Sequence, residues 1–141
     1  MFNSVLHNYP SVIAEEQQKS YINVLLQIAA LDGISDAELY LVKEMGKASS
    51  ISDELLNDCL LNYSSYDVSK LPDYHINWAM CLMRDAVAVA NVDNGISKEE
   101  FEYICKLGEY ADIDTATMDK ITNSTKEQMK ISDTWASLMS N

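Results

Sequence analysis

Ala30-Leu31-Asp32-Gly33-Ile34-Ser35-Asp36-Ala37-Glu38 and Asn91-Val92-Asp93-Asn94-Gly95-Ile96-Ser97-Lys98-Glu99-Glu100 are two versions of one turn. In each, a glycine supplies the positive φ that ends a helix, an isoleucine plugs the core, and a serine with a glutamate three residues on opens the next helix as a capping box. Shifting the chain by 62 aligns Gly33 with Gly95, Ser35 with Ser97, Glu38 with Glu100, Gly46 with Gly108 and Ile51 with Ile113. Upstream of the glycine the shift is 61, pairing Ala29 with Ala90 and Asp32 with Asp93, so the second turn holds one extra residue, Asn94. The chain reads as two copies of a three-helix unit. One unit cannot bury its apolar faces alone, and two copies about a pseudo-two-fold axis would share a core.

Working outward, apolar residues recur at helical spacing, and only 4 glycines and 2 prolines interrupt them, so the expected class is all-α, a helical bundle of two pseudo-symmetric repeats. The expected helices run over about 11–31, with Leu25, Ile28 and Leu31 inward, and from Ser35, with Leu39, Val42 and Met45 inward and Gly46 near its end. A third begins near Ser52 and buries Leu55, Leu56, Cys59 and Leu60. The fourth, over 73–92, carries Ile76, Met80, Met83, Val87 and Ala90 as a central seam. The fifth opens at Ser97 and buries Phe101, Ile104 and Leu107; the sixth covers about 114–129 on a stripe of Met118, Ile121, Thr125 and Met129. Repeat one thus spans about 12–62, a linker 63–72, repeat two 73–129 and a tail 130–141 with Trp135, which docks back or frays, all in a single domain over 1–141.

The chain has 141 residues, 48% hydrophobic, with 22 Asp+Glu against 10 Lys+Arg, a net charge of −12 and a single arginine, Arg84. That balance opposes a phosphate backbone or an anionic lipid surface, both of which need clustered cations. Neither a secretory pattern nor a membrane-length apolar run is visible, and Cys59, Cys81 and Cys105 lack metal-ligand spacing, so the expectation is a cytoplasmic protein with reduced thiols.

The candidate site is the pair of turns. Asp32 and Glu38 in the first, and Asp93 and Glu100 in the second, place carboxylates beside backbone carbonyls and a hydroxyl, a donor set that suits Ca²⁺ or Mg²⁺ better than Zn²⁺. The spacing is not that of an EF-hand, which puts a glutamate six residues after its glycine; here Glu100 comes five after Gly95, and Ala90 occupies the first-ligand position. Capping alone also explains Glu38 and Glu100, and turn bonding explains Asp32 and Asp93.

The doubled pattern of an alanine-rich helix ending in Asp-Gly-Ile-Ser-x-x-Glu, followed by an amphipathic helix, resembles the TerB-like tellurite-resistance family over roughly residues 20–125. That fold also resembles the N-terminal region of a membrane-associated J-domain co-chaperone. The resemblance implies a cytoplasmic helical bundle serving bacterial stress responses, without a catalytic reaction. It also implies a divalent cation on clustered acids, here Asp32, Glu38, Asp93 and Glu100, and a partner that is a membrane or regulatory component. Asn94 and Asn91 depart from the pattern and make the second turn the less certain site.

A second reading, from the acidity alone, is a pure interaction module whose turns are structural and whose acidic face, including Glu99, Glu102, Glu109, Asp112 and Asp114, recruits a basic partner. An enzyme is the weakest reading, because no nucleophile is paired with a base. His75 reads as a structural or surface residue, His7 belongs to an N-terminal arm, and Cys81 and Cys105 read as buried thiols. The seven methionines read as core filler, and Tyr63, Tyr66 and Tyr74 either form a binding patch or pack the linker down.

Overall fold

The computed structural model describes residues 9–93 and 95–140, so the expectations for His7 and Asn94 lie outside the described residues. Among the described residues the chain is all-α, with helices α1 (Glu15–Ala30), α2 (Asp36–Ala48), α3 (Asp53–Asn62), α4 (Ile76–Asn91), α5 (Lys98–Tyr110) and α6 (Thr115–Met139). Two short 3-10 turns, Tyr63–Ser65 and Val68–Lys70, occupy the linker.

Local chemistry sets these boundaries twice over. Ser35 Oγ accepts the Glu38 amide at 3.1 Å while Glu38 Oε1 accepts the Ser35 amide at 2.9 Å; Ser97 and Glu100 repeat the exchange at 3.2 and 2.8 Å. Gly33 and Gly95 adopt φ of 82° and 90°. At the far ends of α2 and α5, Ile51 N–H donates to Gly46 O at 2.8 Å and Ile113 N–H to Gly108 O at 2.9 Å. The left-handed residues that permit this closure are Ser50 (φ 65°) and Asp112 (φ 58°), not Gly46 or Gly108, which lie one turn earlier inside the helices. Ser52 then caps α3, and Asp114 caps α6 through a 2.7 Å bond from the Thr117 amide.

Helix α4 is the centre. Trp78, Ala79, Cys81 to Met83 and Asp85 to Ala90 are buried, so it has hardly any solvent face. It packs against α1, α2, α5 and α6, while α1 packs against α2, α3, α4 and α5. One continuous core results, running from Tyr21 to Met129.

Three residues expected inside are not. Leu31 is 42% exposed because it follows the last helical residue, in the turn, and Ile76 is 51% exposed at the first position of α4. Phe101 is 52% exposed because the buried line of α5 runs through Glu100, Ile104 and Leu107, one step round the helix. The tail is likewise not separate: α6 continues to Met139, since neither glycine nor proline occurs after Asp114 to stop it.

Candidate functional site

The charges of the second turn act on the first. Glu38 and Glu100 are 6% and 4% exposed, each with one carboxylate oxygen held by its serine amide, whereas Asp32 and Asp93 are exposed at the turn surface. Burial pushes the Glu38 carboxyl above the usual range; the Ser35 bonds oppose this, and the negative charges of Asp93 and Glu100 add to it. Those two acids belong to the other half of the chain. The sequence suggested acids converging within each turn; the coupling seen at Glu38 runs between the turns.

Among the described residues, no three His, Cys, Asp or Glu side chains are grouped as a ready ligand set. The residues thus supply hard oxygen donors and like-charge crowding, without a finished coordination shell. Each capping glutamate keeps its second oxygen beyond the one its serine amide engages.

A second polar cluster, not foreseen from sequence, lies in the core. Asp85 is fully buried, and its Oδ2 accepts from Tyr9 Oη at 2.7 Å and from Tyr21 Oη at 2.6 Å, while Arg84 Nε donates to its Oδ1 at 3.1 Å. Trp78 packs the group from the side, stacked on Tyr9 and edge-on to Tyr21, and the Arg84 guanidinium lies 5.1 Å from the Tyr9 ring centroid. Burial raises the Asp85 carboxyl, against the opposing pull of Arg84 and the two hydroxyls. Burial and then Asp85 hold both tyrosines protonated. The legible signal was an acid within the apolar run Trp78 to Ala90, directly after the only arginine.

Between α4 and α6 runs a groove of about 680 Å³ with Pro10, Met80, Cys81, Arg84, Lys120 and Ile121 among its walls. The remaining candidates have structural positions. His75 Nδ1 caps α4 by accepting the Asn77 amide at 3.2 Å. Burial pushes the Cys59 thiol up to about 11 and raises Cys81 and Cys105. Tyr74 donates to Gln17 O at 2.6 Å, and Gln27 Nε2 bonds the carbonyls of Tyr63 and Tyr66, so the tyrosines pack the linker down. Among the described residues no helix is long and apolar enough to cross a membrane. Comparison with protein families, curated proteins and solved structures returns no match.

Proposed function

We propose that this chain is a non-enzymatic, TerB-like stress-response protein of the cytoplasm. It binds a divalent cation, Ca²⁺ or Mg²⁺ rather than Zn²⁺, weakly where its acidic turns meet, and engages a protein partner, a membrane or regulatory component of a stress system. The reading treats the halves as pseudo-symmetric copies, in keeping with caps that recur at the same offset. The reading rests on buried Glu38, whose carboxyl is raised first by burial and to a lesser degree by the charges of Asp93 and Glu100, which a bound cation would offset. Asp32, Glu38, Asp93 and Glu100 would hold the ion. The ion would supply charge neutralisation that ties one half to the other.

The second reading, an interaction module with purely structural turns, is favoured by the completeness of both capping boxes, which need no ion. Calorimetric titration with Ca²⁺, Mg²⁺ and Zn²⁺ separates the two. Saturable binding at millimolar Ca²⁺ or Mg²⁺, weakened about tenfold or more by Asp93→Asn or Asp32→Asn, supports the cation; ten-fold corresponds to about 1.4 kcal/mol. A flat titration at millimolar ion leaves the interaction module.

The pH dependence has a definite sign. The folded Glu38 carboxyl is raised, so its contribution to stability is present at low pH and declines as pH rises from the ordinary glutamate range through its folded value. A cation favours the ionised form. Ca²⁺ should therefore raise Tm more at pH 7 than at pH 4.5, and in Glu38→Gln this pH dependence should flatten.

A further inference from the structure

Helix α6 changes character along its length. Met118, Thr125 and Met129 are buried against the bundle, and the Asn91 amide donates to Met129 Sδ at 3.6 Å near the end of α4. Past that point the helix continues for ten residues to Met139, about 15 Å at the α-helical rise, and none of its buried residues lies in that stretch. Here Ile131, Trp135 and Leu138 follow one another at four- and three-residue spacing, a single helical stripe, and are 53%, 61% and 62% exposed, with Met139 at 80%. A tryptophan in such a stripe is a strong anchor for a partner surface.

Three observations identify that partner as a second copy of this chain. The first is charge. The net −12 makes most of this surface repel its own kind, yet from Lys126 to Ser140 the ionisable residues are Lys126 and Lys130 against Glu127 and Asp133, which balance. Two copies can therefore meet there without like-charge repulsion. The second is shape. Beside the stripe lies a hollow of about 480 Å³ bounded by Asn91, Met129, Lys130, Asp133, Thr134 and Leu138, so projecting side chains and a receiving hollow share one segment, as a two-fold interface requires. The third is area. The four exposed side chains offer roughly 500 Å² per copy, and pairing them removes about 1,000 Å² in all, the lower limit for a specific interface.

We propose that the segment from Lys130 to Met139 is a self-association surface, pairing antiparallel with the same segment of a second copy across a two-fold axis. The pairing is independent of the cation reading, and its test is run in chelator to keep the two apart. Sedimentation equilibrium from about 1 µM to 1 mM should show a reversible monomer–dimer transition, with Trp135 emission shifting to the blue as dimer forms. Trp135→Ala and Leu138→Glu should each weaken association about tenfold or more, and Ile76→Ala, an exposed apolar residue on α4, should leave it unchanged. Far-UV circular dichroism of each variant verifies the fold, and for any that loses helix Trp135→Gln takes its place. A monomer throughout that range overturns the proposal, as does a dimer indifferent to both substitutions. So does a monomer whose Trp135 emission shifts only on lipid vesicles.

Discussion

The first and second halves of the chain share their turns and caps and differ in what those caps secure. Where α1 carries Val24 and no buried charged residue, α4 carries Asp85 at the matching position, with Arg84 beside it. Where the first half closes with the ten-residue α3, the second closes with the 25-residue α6 and its exposed stripe. Helix ends are repeated because they are local: a serine, a glutamate and a left-handed residue suffice to make one, whatever lies beyond. The differences fall where residues must meet partners far along the chain.

Exchanging the matched residues is the strongest way to break the comparison. Asp85→Val gives the second half the residue of the first, and removes the common acceptor of Tyr9, fully buried Tyr21 and Arg84. The expected loss is about 3–5 kcal/mol, the range for breaking a buried ion pair, measured by urea denaturation. A loss under about 1 kcal/mol would mean the cluster is replaceable by packing. The converse exchange, Val24→Asp, buries a carboxylate with no arginine and should prevent folding.

The caps test the similarity instead. Ser35→Ala and Ser97→Ala should each cost about 1 kcal/mol, and equally, because each removes the same bond to the third helical amide. Unequal losses would show that one turn depends on more than its cap.

The smallest effect distinguishes the halves again. Gly46→Ala should stabilise by about 0.5–1 kcal/mol: the site is helical, and an added methyl would meet Ile22 Cδ1 and Leu56 Cδ1 at 3.7 and 4.0 Å. At Gly108 the same methyl falls on Met118 Sδ, so buried Met118 must change rotamer and the gain should be cancelled or reversed. Paired thermal melts of the two variants show the sign.

How far the sequence was readable follows the same division. The capping boxes at Ser35 and Ser97, the glycines at 33 and 95 and the offset between halves were visible, because each is written in a few adjacent residues. The seam of α4 was visible through Met80 to Ala90 and misleading at Ile76, where periodicity continued past the point at which the bundle stops covering the helix. The continuation of α6 was obscured by polar residues that neither break a helix nor mark a face. At the acidic turns the sequence suggested one pair of carboxylates converging within each turn, whereas the effect of Asp93 and Glu100 on Glu38 runs between the turns and depends on how the halves pack. Asp85 was missed because its partners, Tyr9 and Tyr21, are separated from it by most of the first half.

That separation bears on how the protein folds. A six-helix bundle is ordinarily dominated by contacts close in sequence and folds fast. Here the hydroxyls of Tyr9 and Tyr21 must find Asp85 across 76 and 64 positions, and Tyr103 must find Gln27 across 76. Closing loops of that size carries an entropic cost that local helix formation does not bear. The desolvation of the carboxylate at the centre of α4 is thus fully offset only when the segment before α1 and α1 itself are both docked on it, which ties the burial of Asp85 to completed tertiary structure rather than to helix formation.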